Sequence, residues 1–311
     1  GSDRVLLLDL DTMGQTVLAQ GYNNLQAVVQ TTSGVVYFTD SSGDVFLINP
    51  TDTLPLDAIS NPAAVLASGV APGTEGGLVM DASETFLYVS DYNEGKVFKV
   101  STAGSVTELV DFSDFASRGL TLSPDGGTLY ITGYLSDEIV AYDLINDTAT
   151  LFANGASTGG LLNGPFGMVI SANDYPPFDG GAGDTEISTG DFPVDTSNLP
   201  AGYFLYVTNE GGGGGGTTVV QISDDGTATV VGTGFNGPSG LAQNTLATDP
   251  LLYVSDDNNG LYTQALGDVF TTVATGFDNP NGLYYDVANN DMYIAGSDRV
   301  LLLDLDTMGQ T

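Results

Sequence analysis

Short apolar runs rich in β-branched and aromatic residues alternate with Gly, Asp, Asn and Ser turns along the whole chain, the pattern of strands joined by hairpins. The periodicity of an amphipathic helix appears in no window of useful length. One run recurs with a tyrosine near its centre: VVYFTD at 35–40, FLYVSD at 86–91, TLYITG at 128–133, FLYVTN at 204–209, LLYVSD at 251–256 and DMYIAG at 291–296. Each has a shorter run before it and two after it, as GGLVMD, FLYVSD, KVFKVS and VTELVDF show within 76–112. Four antiparallel strands returning every ~40–50 residues predict the blades of an all-β propeller.

A longer repeat frames the shorter one. Residues 1–16, GSDRVLLLDLDTMGQT, reappear unchanged as 296–311, an offset of 295 residues. Tyr37, Tyr88, Tyr130, Tyr206, Tyr253 and Tyr293 divide that period completely, so the expected fold is a single six-bladed β-propeller of four-stranded blades over 1–311. Its blades fall at about 25–70, 76–112, 119–155, 166–234 with an insertion at 172–202, 239–276, and 282–311. The last blade lacks a fourth strand of its own. QTVLAQG at 15–21 is expected to supply it, closing the ring by strand pairing and covering an edge that would otherwise stay open. RVLLLDL, at 4–10 and again at 299–305, then has two copies for one place. The surplus copy is expected to pair with a neighbouring propeller or to lead into it, as in one unit of a tandem array; overlapping ends are the other explanation of the repeat.

Charge narrows the setting. Arg4, Lys96, Lys99, Arg118 and Arg299 stand against 39 acids, a formal net charge of −34. Nucleic acid and anionic membranes are thereby disfavoured as partners, because both are held mainly by Lys and Arg. Most of the acids are Asp, which suits turns. Their mutual repulsion is relieved by salt or by bound divalent cations, so an extracellular or cell-surface place in a marine, saline or calcium-rich medium is expected. The chain has neither Cys nor His, which removes disulfides, thiolate metal sites and the commonest general base. No apolar run approaches the ~20 residues of a membrane-crossing helix. Gly211–Gly216 reads as a flexible turn within the fourth blade.

The blade starts NPNGLYYD at 279–286, GPSGLAQN at 237–244, GPFGMVIS at 164–171 and RGLTLSPDGGTLYITG at 118–133 share Gly and an apolar residue ahead of the tyrosine strand. In this the chain resembles the NHL-repeat propellers and the related gluconolactonase-like six-bladed propellers, along all six blades. For lactonases of that kind the resemblance implies a divalent metal in the central channel, held by a Glu and by Asn or Asp at blade starts. The residue at the matching place is Asn24 in the first blade, then Gly76, Arg118, Phe166, Ser239 and Asn281, with Glu75 one place away. Only Asn24 and Asn281 match ligand types, and Arg118 departs from the pattern by putting a cation there.

Candidate ligand residues at the channel mouth are therefore Asn24, Glu75, Arg118, Ser239 and Asn281. Arg118 either pairs with a carboxylate near the mouth or meets an anionic ligand. Asp40, Asp91, Asn209 and Asp256 end equivalent strands; they form a ring of calcium ligands or, as expected, each accepts backbone N–H bonds and fixes its own turn. The insertion gathers Asp174, Asp179, Asp184, Glu186 and Asp191, the candidate metal ligands, with calcium the expected ion. The expected function is that of a non-enzymatic extracellular structural or binding propeller partnered by neighbouring copies. The alternative is a metal-dependent, lactonase-like hydrolase working at the channel.

Overall fold

The computed structural model describes residues 3–9, 14–71, 76–113, 115–172, 196–211, 217–244, 251–257, 260–265, 270–275, 280–287 and 291–296. It opens with a hairpin of β1 (Asp3–Asp9) and β2 (Gly14–Tyr22). Then come β3 (Leu25–Gln30), β4 (Val36–Asp40), β5 (Val45–Ile48), the two-residue β6 (Leu56–Asp57) and β7 (Ala64–Ala67). Strands β3-β4-β5-β7 form the first four-stranded antiparallel sheet. The second is β8 (Leu78–Met80), β9 (Phe86–Asp91), β10 (Lys96–Ser101) and β11 (Val106–Asp111). The third is β12 (Ser117–Leu122), β13 (Thr128–Gly133), β14 (Glu138–Asp143) and β15 (Thr148–Asn154). The fourth is β16 (Pro165–Ser171), β17 (Phe204–Asn209), β18 (Thr218–Ser223) and β19 (Ala228–Thr233). The fifth is β20 (Pro238–Asn244), β21 (Leu251–Asp256), β22 (Gly260–Ala265) and β23 (Thr271–Thr275). A two-stranded sheet, β24 (Pro280–Asp286) and β25 (Asp291–Gly296), follows.

The first strands of these sheets, β3, β8, β12, β16, β20 and β24, surround one central cavity. Each second strand is buried at nearly every position, which is why its centre is a continuous apolar run around the tyrosine. Its tyrosine is core: Tyr130, Tyr206, Tyr253 and Tyr293 are almost wholly buried. Close approach of one inner strand to the next requires glycine. A Cβ at Gly240 or Gly282 would stand 2.7 or 2.8 Å from the carbonyl oxygen of Asn281 or Gln26 on the adjacent strand.

A recurrent hydroxyl ties these junctions. The residue before the end of the second strand accepts from its own inner-strand glycine and donates to the next sheet's inner-strand carbonyl. Ser90 Oγ accepts from Gly77 N at 2.6 Å and donates to Arg118 O at 2.5 Å. Thr132 Oγ1 does the same with Gly119 N (2.7 Å) and Phe166 O (2.9 Å), and Thr208 Oγ1 with Gly167 N (2.8 Å) and Ser239 O (2.7 Å). At the fifth sheet Ser255 accepts from Gly240 N, and Ser239 Oγ reaches Pro280 O at 2.6 Å.

Among the described residues five blades are complete, not the six expected. β24–β25 stands as a pair, and the N-terminal hairpin belongs to a separate three-stranded sheet, β1-β2-β6. β1 nevertheless lies alongside β25, and Leu18 and Ala19 of β2 share a core with Met292, Tyr293, Ile294 and Ala295. The expected third strand at 299–305 lies outside the described residues. β6 was not foreseen. It runs parallel to β2 with Ala19 opposite Leu56 and Gln20 opposite Asp57, and the Gln20 amide donates to Asp57 at 3.1 Å.

Candidate functional site at the channel mouth

Strand direction decides what meets at the mouth. The inner strand begins, and the second strand ends, at the same rim, so the residue that opens the first and the residue that follows the second face a common entrance. Bulges recur there: Ser117 pairs with Gly133 and Leu120 with Ile131, and Pro238 pairs with Asp256 and Leu241 with Val254. The same bulge pairs Leu25 with Asp40 and Ala27 with Thr39, which makes Gln26 the first-blade equivalent of Arg118, Phe166, Ser239 and Asn281. The assignment of Asn24 to that place is thereby corrected by two residues. Asn24 instead holds a left-handed backbone (φ 50°), and its carbonyl accepts from Gln26 Nε2 at 2.9 Å.

Gln26, Arg118, Phe166 and Asn281 line a cavity of about 100 Å³ between the inner strands, floored by Val28, Leu78, Leu120, Met168, Leu241 and Leu283. Arg118 is 5% exposed. Its guanidinium carbon sits 3.9 Å from the Tyr134 ring centroid, 4.4 Å from Phe166 and 4.7 Å from Tyr92, and Nη1 is paired with the carboxylate of Glu210. Stacked rings on a largely desolvated guanidinium are worth up to ~2 kcal/mol. Burial lowers the Arg118 pKa while Glu210 opposes the change. Half-buried Asp257 completes this cluster: burial, then the charges of Glu210 and Asp256, push it up to about 6, with Arg118 pulling the other way. Ser239 Oγ is engaged with Ser255 at 3.0 Å as well as with Pro280 O.

Two buried amides at the mouth are incompletely bonded. Gln26 Oε1 and Asn281 Nδ2 have no hydrogen-bond partner among the described residues, although the side chains are 4% and 5% exposed. They come from adjacent inner strands, one offering an acceptor and the other a donor. A buried polar atom left without a partner costs ~1–3 kcal/mol. Residues that persist in that state are candidates for binding.

Of the strand-end residues, Asp40 and Asp91 serve their own turns, whereas Asp256 and Asn209 hold the segment that leads into the inner strand of the same sheet. Asp40 Oδ1 accepts from Ser42 N (2.9 Å), Asp91 Oδ1 from Asn93 N (2.9 Å), Asp256 Oδ2 from Asn236 N (2.7 Å), and Asn209 Oδ1 from Asn163 N (3.2 Å). Burial raises the pKa of Asp40 and of Asp91 against these bonds. The divalent site that the lactonase resemblance implies does not fit the described residues. The inner ring presents a guanidinium, a phenyl ring, a serine and two amides, and a fixed cation at Arg118 opposes a second one. No cluster of three or more Asp or Glu able to hold a metal occurs among the described residues. Glu75 and the insertion's Asp174, Asp179, Asp184, Glu186 and Asp191 lie outside them.

Sheets of four antiparallel strands set around a central cavity make this protein a β-propeller. Solved structures share the fold: a gluconolactonase from Xanthomonas campestris (TM-score 0.66, 12% identity, 96% of this chain and 94% of that one) and virginiamycin B lyase from Staphylococcus aureus (0.53, 12%, 88% and 78%). A chain of a nidogen/laminin complex is similar over 96% of this chain and all of its own, at TM-score 0.57 and 14% identity. These proteins include enzymes and non-enzymes, and at such identities they share the fold alone. No family model and no curated protein matches the chain.

Proposed function

We propose that this chain is a non-catalytic binding and scaffold propeller, working outside the cell as one unit of an array with a 295-residue period. In this reading β24, β25, β1 and β2 make up a sixth blade and the ring closes through the N-terminal hairpin. The place of β1 alongside β25 and the shared core around Tyr293 support it.

The observation that carries the binding role is the pair of buried amides, Gln26 and Asn281, lining one cavity with an acceptor and a donor unspent. They suit a small neutral group with one donor and one acceptor, an amide or a hydroxyl, held under the aromatic rim. Anions are disfavoured by Glu210 and Asp257, and cations by Arg118. Calorimetric titration with acetamide, glucose and N-acetylglucosamine should give saturable binding by at least one probe. Asn281→Leu and Gln26→Leu should abolish it while raising the melting temperature, since each removes an unsatisfied buried group. Absence of binding by all three would leave ordered water as the occupant and reject the role.

A lactonase-like hydrolase is the second reading, favoured by Asp257, whose pKa near 6 suits proton transfer close to neutrality. Lactone turnover lost in Asp257→Asn would establish it. Calcium is proposed for the acidic insertion: at fixed ionic strength, calcium should raise the melting temperature of the native chain. A variant with Asn at 174, 179, 184 and 191 and Gln at 186 should not respond.

A further inference from the structure

We propose that the strand place beside β25 is a docking place between copies of this chain, held by β1 in an isolated molecule and open to residues 298–304 of a second copy. The inference rests on the array reading in one respect, the value of joining one propeller to the next, and otherwise on three observations.

The first is identity. Residues 296–311 repeat residues 1–16 letter for letter, so Asp298–Asp304 offers the side chains of Asp3–Asp9 in the same order. Place is the second: β1 lies between β25 and β2. Its ladder with β2 sets Leu7 opposite Thr16, Leu8 opposite Gln15 and Asp9 opposite Gly14. By the same register Leu302 would face Thr16. The third observation is that β2 is anchored independently of β1. β6 covers its other edge, the Tyr22 hydroxyl accepts from Ala63 N at 2.7 Å, and the Tyr22 ring packs edge-on to Phe38 and Phe46 at 5.0 and 4.9 Å. Residues 17–22 of β2 occur once in the chain, whereas β1 has a full duplicate. β2 is therefore the fixed wall and β1 the replaceable strand.

Equal sequences in one place make equal side-chain contacts, so concentration and chain connectivity decide which one is seated. A second copy gains as concentration rises. Exchange of an identical element is a low-cost route to assembly, and a strand passed from each molecule to the next, with no two-fold axis, propagates head to tail. The displaced β1 carries its own unpaired edge, which favours re-pairing over exposure.

The absence of native cysteine makes the test direct. Two full-length single variants, Thr16→Cys and Leu302→Cys, are mixed and oxidised across a range of concentrations. A mixed disulfide-linked dimer is expected, increasing with concentration and suppressed by free peptide of the 296–311 sequence without cysteine. The double variant Leu7→Cys/Thr16→Cys, once oxidised, should lock β1 in place and abolish concentration-dependent association of the full chain in sedimentation. A native chain that stays monomeric at all concentrations, with no mixed dimer beyond the single-variant controls, overturns the proposal. That outcome leaves the array reading standing, because covalent repetition is tested separately by peptide mapping of the protein from its source.

Discussion

Thr132 shows how much one side chain can hold. Its hydroxyl accepts from Gly119 N and donates to Phe166 O, so Thr132→Val takes a hydrogen-bond partner from two buried backbone groups at one junction. The expected cost is about 2 kcal/mol or more, read as a fall in urea midpoint with an unchanged m-value. Asp257 gives a pH signature. Its folded pKa of about 6 lies above the ~3.9 of an unfolded Asp. The folded state keeps this proton longer, so its contribution is complete below the unfolded value and is lost as pH rises through the folded one. Relative to the native protein, Asp257→Asn should therefore gain melting temperature between about pH 4 and 6. Arg118 was legible in the sequence as a lone cation among acids. Its partner was not, because Glu210 lies 92 residues away and only the fold joins them. Gln26 escaped for a different reason: Ala27 and Val28 stand where other blades have Gly and Leu or Met, which hides the motif.

At the scale of elements, the tyrosine strands and their hairpins were readable because both faces of each are buried and a continuous apolar run betrays that. β6 was not readable. Two residues in a stretch rich in Asp, Ser and Pro look like a loop, and only the presence of β2 makes them a strand. The N-terminal hairpin also depends on this contact. Tyr22→Phe keeps the ring packing but leaves Ala63 N without its acceptor, at an expected cost of ~1–3 kcal/mol. Amide exchange should accelerate at Ala63 and along β6 before it does so elsewhere. The count of complete blades was not readable, since repeat spacing says how many units a chain contains but not which strands finish the last of them.

For the molecule as a whole, charge sets the terms. With 39 acids and five bases the native state repels itself over distances that salt can screen. Raising sodium chloride from ~0.01 to ~1 M should raise the melting temperature steadily, most steeply at the dilute end. A flat response would mean that the acids are already neutralised by fixed partners.

The hydroxyl ties are unevenly distributed. Ala295 stands where the last pair of strands would carry one, and Thr39 Oγ1 in the first blade is buried without a hydrogen-bond partner among the described residues. Both weak joints flank the same blade, the one gripped from outside by Tyr22 and β6. On warming or ageing, the wheel therefore has a built-in parting line on either side of that blade. Since the N-terminal hairpin lies alongside β25 and packs Tyr22 on that blade, loosening it is expected to open the junction between them first.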